Sequence, residues 1–206
     1  MLITKTKEIG SRVFSLKCDE SLESQGEFLL DLFRDTQENA GLLEDGMKIQ
    51  VGWSILFVHE PKAGQVQILA PDYSSNPFSR TTDDLSATLS VQLAQNQVLK
   101  LTGASGETSL FQDTLIASER ALESERIYME RTEERHDGIS GWYLGPVEGQ
   151  VEQEELRKYY VFQLLTLRPG VLKMLALPKG YVAVLDGDEV EAVLDPSDVG
   201  VWPSNR

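Results

Sequence analysis

The first part of the chain alternates apolar and polar residues in a pattern that is typical of β-strands. Over residues 9–18 the alternation places Phe14, Leu16 and Cys18 on one face of a strand. A second run, 47–58, is rich in β-branched and aromatic residues and predicts one long strand. Pro and Gly residues then turn the chain into a hairpin partner over 65–69. The first half is therefore expected to contain a small, mainly antiparallel sheet.

Helical periodicity predicts two helices in the same half. The first runs over about 22–40 and ends at Gly41. Its predicted buried face consists of Leu22, Phe28, Leu29, Leu32 and Phe33. The second runs over about 83–96, with a stripe formed by Leu85, Leu89 and Leu93. A short strand is predicted over 98–101, and the Gly- and Ser-containing segment 102–109 is the candidate linker.

The second half predicts a strand, two helices and a hairpin, in that order. A short aromatic strand over 140–146 is closed by Gly and Pro. Apolar residues at three- and four-residue spacing predict a helix over 156–165, and a proline in its first turn predicts another over 169–176. Two apolar runs then flank Asp186-Gly187, a dipeptide that strongly favours a tight hairpin turn.

Composition and charge narrow the class of protein. The 206 residues are 41% hydrophobic and 25% charged, as in ordinary globular proteins, and allow one large domain or two small ones. A net charge of −14 argues against binding phosphate backbones and favours a basic partner, with solubility as the alternative explanation. A single cysteine, Cys18, excludes an internal disulfide and a thiolate metal cluster. The N-terminus lacks the apolar core of a signal peptide and no run reaches a membrane span, so we expect a cytoplasmic protein.

Three motifs of the second half form a recognisable set. They are Ser140-Gly141-Trp142, then Arg168-Pro169 after a Tyr- and Leu-rich block, then Leu175-Ala176-Leu177-Pro178 before the hairpin. Over about residues 114–196 this set resembles the immunity protein 33 domain family. The resemblance implies an antidote that sits beside a secreted toxin in a bacterial competition system. It also implies a strand over 127–131, directly after the helix-forming residues 118–126.

The resemblance implies a protein inhibitor. We expect an immunity protein that neutralises a cognate toxin by direct binding. A narrower resemblance, to the immunity partners of type VI secreted effectors, implies that this toxin is a basic, cytosol-acting nuclease. The expected fold is α+β, with two packed subdomains over 1–106 and 107–206, each a small, mainly antiparallel sheet with helices on one face. The second is the immunity-type domain, and neither nucleic acid nor a membrane is an expected partner.

The alternative function is a hydrolase or a small-ligand-binding domain. His59 and Glu60 follow a predicted strand and could form an acid–base pair, although a histidine in this position is usually structural. Neither histidine belongs to a zinc-binding or nucleophile motif. The acidic run that begins at Asp186 lacks the ligand spacing of a calcium loop. We therefore expect no enzymatic activity, no cofactor and no catalytic or metal-binding residues.

The toxin-binding surface is expected on the second half of the chain. Residues 1–106 hold 14 acids and 9 bases, a net charge of −5, whereas residues 107–206 hold 19 acids and 10 bases, a net charge of −9. The densest acidic groups lie in the connector, residues 147–155, and on the hairpin. They are Glu148, Glu152, Glu154, Glu155, Asp186, Asp188, Glu189 and Glu191. Trp142 is the candidate aromatic contact, with a position in the core as the alternative.

Overall fold

The first sheet contains the strands that the alternating pattern predicts, together with others that it does not. A computed structural model describes residues 1–41, 43–132 and 134–203. The strands of the first sheet are β1 (Leu2–Ile9), β2 (Arg12–Asp19), β3 (Lys48–Val51), β4 (Ser54–Lys62), β5 (Gln65–Pro71) and β6 (Thr81–Thr82). Five of them are ordered β1-β2-β5-β4-β3, and β6 pairs with β5. Only the β2–β5 pair is parallel within this described sheet.

The first helix, α1 (Glu23–Ala40), packs against β1 and β2. The predicted strand face is confirmed, because Phe14, Leu16 and Cys18 are all buried. Burial raises the pKa of the Cys18 thiol. The hydrophobic core around this strand face also contains Leu29, Leu30, Phe33, Leu56, Val58, Val66 and Ile68.

The predicted buried face of α1 is wrong at two positions. Phe28 is 72% exposed and Leu32 is 39% exposed, whereas Leu30 is buried. The reason is the close approach at Gly26, where an added Cβ would lie 3.2 Å from Cys18 Sγ. Since a helix turns 100° per residue, Phe28 lies on the side of α1 opposite to Gly26. Small size at one position, rather than apolar character, decides which side of α1 meets the sheet.

Two further predictions in this half are wrong because of turns and helix length. The run 47–58 is not one strand, since β3 and β4 form a hairpin around Gly52 and Trp53. Gly52 has a φ of +55°, a conformation that favours glycine. Residues 98–101 are not a strand but the end of helix α2 (Ser86–Thr102), which Gly103 ends with a φ of +69°.

The second sheet also has six strands, in the order β10-β7-β9-β8-β11-β12. They are β7 (Thr114–Ser118), β8 (Arg126–Arg131), β9 (Ile139–Pro146), β10 (Leu156–Tyr160), β11 (Val182–Asp186) and β12 (Glu189–Leu194). The β7–β9 pair is parallel, and the other described neighbours are antiparallel. The predicted strands over 127–131 and 140–146 and the predicted hairpin are confirmed.

The predicted helix over 156–165 is wrong in its first half. Residues 156–160 are β10, which pairs with β7 at the edge of the sheet. Helical structure begins only afterwards, with a 3₁₀ turn over Val161–Gln163 and the short helix α4 (Leu164–Leu167). Pairing with a strand about forty residues earlier overrides the local helical spacing. The helix predicted over 169–176 is confirmed as a 3₁₀ helix over Pro169–Met174, and the short helix α3 (Glu119–Glu123) lies between β7 and β8.

The predicted α+β class is confirmed by these two mixed sheets and their helices. By internal contacts the chain divides into two compact units, Met1–Leu93 and Ala94–Arg206. This division falls inside α2. The functional boundary at residues 106 and 107 remains our proposal. No helix among the described residues is long and apolar enough to cross a membrane.

Candidate functional site

The second sheet brings Glu148 of the connector and the acidic residues of the hairpin to the same end. Arg126, the first residue of β8, is paired with Asp186, the last residue of β11. On the other side of β8, the amide of Val147 donates to the carbonyl of Arg126 at 3.2 Å, and Glu148 is the next residue. The hairpin turn is tied to the same place, since the amide of Gly187 donates to the carbonyl of Glu125 at 2.9 Å. We call Glu125, Glu148, Asp186, Asp188 and Glu189 the acidic end.

All five carboxylate side chains of the acidic end are on exposed residues. Basic side chains are also present there, but their nitrogens hold the backbone of the loops. Arg168 donates to the carbonyls of Ser124 at 2.6 Å and Glu125 at 2.8 Å, and Lys173 donates to the carbonyl of Asp188. Arg120 donates to the carbonyl of Gln150 at 2.9 Å and so holds the connector. The cations therefore position the loops, while the carboxylates face solvent.

Arg126 lies at the centre of the acidic end and forms its one strong ion pair among the described residues. Its guanidinium donates to both carboxylate oxygens of Glu191, at 2.6 and 2.7 Å. This bidentate contact lowers the pKa of Glu191 and raises the pKa of Arg126, which also feels the charges of Asp186 and Glu148. Glu191 is thus neutralised locally, and the field of the acidic end comes from the other carboxylates.

The remaining predicted contact residues lie in different surroundings. Glu152 and Glu154 are exposed, as expected for a charged connector. Glu155 is half-buried, and its Oε2 atom is buried with no hydrogen-bond partner among the described residues. Trp142 is only 2% exposed, and its ring lies 6.0 Å from the buried guanidinium carbon of Arg131. Trp142 is therefore a core residue, which is the alternative interpretation of this position, and we leave it out of the proposed surface.

Sequence reasoning missed two groups of residues that the sheet places near this site. Glu125 and Arg126 lie in a run of helix formers, and only the pairing of β8 shows that they meet the hairpin. Tyr128 and Tyr143 lie on neighbouring central strands, with ring centroids 5.7 Å apart. The alternating residues of 127–131 indicated a strand, but the pairing register of that strand decides which neighbours each side chain meets.

The acid–base pair of the alternative function does not form. His59 and Glu60 are neighbours on β4, next to an irregularity in its pairing with β5, and their side chains make separate contacts. The Nδ1 atom of His59 lies 3.4 Å from Oδ1 of Asp45, and His59 is about half-exposed. Glu60 accepts from the amide of Gly64 at 2.7 Å and lies 3.6 Å from Arg12. Each side chain therefore supports its own turn or strand end.

Metal binding has no support in the part of the chain that the structure describes. Over residues 1–41, 43–132 and 134–203, there is no group of three or more His, Cys, Asp or Glu side chains placed to hold a metal ion. The acidic end is spread over two loops and a hairpin, and its carboxylates do not converge on one point.

Gly170 supports the hairpin, and its replacement by alanine should displace the turn. An added Cβ would lie 2.1 Å from Oδ1 of Asp188 and 3.0 Å from its Cα atom. We expect Gly170→Ala to lower the free energy of unfolding by about 1–3 kcal/mol, as overpacking does. Urea denaturation measures this change. In an Asp188→Gly background the same substitution should cost less, because the clash with the Asp188 side chain is gone. An equal cost would show that this contact is not the cause.

These features define a class: an α+β protein whose second sheet ends in an exposed acidic surface. The family model of the Imm33-like domain matches residues 94–196, which is half of the chain. The chain therefore belongs to the Imm33-like family, an immunity-protein family. The match confirms the resemblance over 114–196 and extends it towards the N-terminus, and it includes the whole acidic end. No curated protein and no solved structure matches the chain significantly.

Proposed function

We propose that this protein neutralises a cognate secreted antibacterial toxin by binding it directly through the acidic end. The toxin is a basic nuclease that acts in the cytosol and belongs to a type VI secretion system. The observation that carries the proposal is that strand pairing and backbone hydrogen bonds place Glu125, Glu148 and the hairpin acids at the same end of the immunity-type sheet. Family membership supports the class of function, an inhibitor of a partner protein.

The chemistry of a nuclease explains why such a surface would inhibit it. A nuclease holds the phosphate backbone with clustered Lys and Arg, so its substrate groove is positively charged. Exposed carboxylates held by fixed loops offer charges of the same sign as phosphates. Because the loops are held by hydrogen bonds from Arg168 and Arg120, little ordering is needed when the partner binds. The protein thereby occupies the groove and excludes nucleic acid.

The same proposal accounts for the remaining expectations. The protein acts as a binding partner and not as an enzyme. It acts in the cytoplasm, where the nuclease reaches its substrate. His59 and Glu60, the candidate catalytic pair of the alternative function, make separate structural contacts. The surface charge would supply long-range attraction, and a smaller set of desolvated contacts would supply affinity.

Co-expression with the toxin encoded beside this gene tests the proposed function. We expect cells that express the toxin alone to stop growing with degraded nucleic acid, and cells that also express this protein to grow. The purified protein should bind the toxin and prevent cleavage of DNA or RNA without binding nucleic acid itself. Growth arrest that persists at high levels of the folded protein, with no complex on gel filtration, would contradict the proposal.

A further inference from the structure

The second sheet has one face that is apolar but not fully covered. Ala117, Met129 and Leu144 are buried on one face of the sheet. The residues before and after each of them along its strand point to the other face. On that open face Ile116 is 40% exposed, and Tyr128, Tyr143 and Val184 are half-buried. The register confirms that these four share a face, because Ile116 is paired with Tyr143, Tyr128 with Gly145, and Val184 with Tyr128. A contiguous apolar patch that is exposed on a sheet face often marks an interaction site.

Gly145 lies in close contact with the two tyrosine rings. An added Cβ at Gly145 would lie 2.9 Å from Cε1 of Tyr128 and 2.9 Å from Cε1 of Tyr143. The two rings are tilted by 51° with centroids 5.7 Å apart. A glycine at this position on a central strand therefore leaves room for both rings to lie close to the sheet.

Two polar atoms beside these rings lack hydrogen-bond partners among the described residues. Ser118 is fully buried, and its Oγ atom has no partner. Glu155 directly precedes Leu156, which is paired with Ser118, and its Oε2 atom is also buried without a partner among the described residues. Burial, contact with Tyr128 and the negative charge of Glu155 together raise the pKa of Tyr143 to about 12. The carboxylate oxygen of Glu155 is therefore an acceptor without a donor, and the Ser118 hydroxyl can either donate or accept.

We propose that Ser118, Tyr128, Tyr143, Gly145 and Glu155, which we call the tyrosine cluster, receive an arginine side chain of the toxin. This inference rests on the proposed function and deepens it by naming an anchor. A guanidinium supplies several donors in one plane, pairs with a carboxylate and stacks on aromatic rings. Lysine offers a point charge that suits this combination less well. Lys158 is on the same face, but in the row of Ile116 and not beside Gly145.

The position of the cluster joins it to the acidic end. Tyr128 follows Arg126 by two residues on β8, and Val184 precedes Asp186 by two residues on β11. A basic surface that meets the acidic end would therefore extend over the tyrosine cluster without a break. A desolvated anchor beside a charged rim is the usual arrangement of a tight protein interface. A nuclease groove, which is rich in arginine, carries the matching side chain.

Titration of the full-length protein with two capped tripeptides tests the cluster directly. The probes are N-acetyl-Gly-Arg-Gly-amide and its lysine counterpart, and the readout is the chemical shifts of the Tyr128 and Tyr143 rings. We expect the arginine peptide to bind more tightly by about tenfold, the difference of one charge-assisted hydrogen bond. Glu155→Gln should remove this preference, while Glu8→Gln, an exposed acid on β1, should leave it unchanged. Equal binding of the two peptides, or an unaltered preference in Glu155→Gln, would overturn the inference.

A second arm separates this inference from the proposed function. Affinity for the co-expressed toxin is compared for the wild type, Glu155→Gln and Glu8→Gln. A wild type that binds and protects, with Glu155→Gln weaker by about tenfold, supports both. If Glu155→Gln binds as tightly as the wild type, the anchor is wrong and the proposed function stands. If the wild type fails to bind the toxin, the proposed function is wrong, and the peptide titration alone decides the cluster's preference for arginine.

Discussion

Replacing Arg131 by methionine should lower the free energy of unfolding by about 3–5 kcal/mol, the cost of removing one partner from a buried polar network. Arg131 is the last residue of β8 and is fully buried. Its Nη1 atom donates to the carbonyls of Glu107 at 2.7 Å and Leu177 at 2.8 Å, and its Nη2 atom lies 2.8 Å from Oε1 of Glu107. Methionine fills part of the volume but leaves two carbonyls unsatisfied. Burial lowers the pKa of Arg131, and the nearby carboxylate of Glu107 opposes this effect.

Arg126→Met is the matched control for this prediction, because Arg126 begins the same strand. Its pair with Glu191 is about half-exposed and screened by solvent, so its loss should lower the free energy of unfolding much less. Guanidinium denaturation followed by tryptophan fluorescence measures both, with Trp142 next to Arg131 as a local reporter. Equal effects of the two substitutions would mean that the buried network adds nothing beyond a surface ion pair.

Reversing Glu148, Glu152 and Glu154 to lysine should slow association with the toxin by about tenfold or more at low salt. All three side chains are exposed, and the change raises the net charge from −14 to −8. The difference from the wild type should shrink as salt shortens the Debye length below about 10 Å. Stopped-flow association rates over a salt series measure the effect, and circular dichroism checks that the fold is intact. Protection of cells should fall in parallel.

The control variant has the same net charge as the first variant, but its substitutions lie in the first unit. Glu8, Glu38 and Glu44 are exposed there, and reversing all three also gives −8. If the connector carboxylates act locally, this control should slow association much less than reversal of Glu148, Glu152 and Glu154 does. Equal slowing would mean that net charge alone steers the encounter. Unchanged rates in both variants would mean that the charge serves solubility and that the contact lies elsewhere.

The choice of residues for this test depends on the structure. Glu155 has a buried carboxylate oxygen beside Tyr143, so its reversal would disturb the sheet face as well as the charge. The hairpin acids are also poorly suited to reversal. Glu191 is paired with Arg126, and Asp188 packs on Gly170. Reversing them would combine a loss of stability with a loss of charge.

The sequence by itself determined the features that depend on neighbouring residues. The Asp186-Gly187 dipeptide predicts the hairpin, and Gly187 has a φ of +58° within its turn. Alternation alone predicts the buried strand face with Phe14, and Pro169 marks the start of a helix. The α+β class and the immunity family also follow from the sequence, because both rest on local patterns and motifs. Such features are decided by backbone conformations within a few residues.

Only the tertiary structure decided which distant residues meet. Residues 156–160 have helical spacing but form β10, because pairing with β7 satisfies their backbone groups. The acidic end exists because β8 lies between β9 and β11, so Glu148 and Asp186 reach opposite sides of Arg126. The burial of Trp142 likewise depends on Arg131, eleven residues away in sequence and its direct partner in register. Strand order and register are long-range choices, and no local pattern in one strand contains the identity of its neighbour.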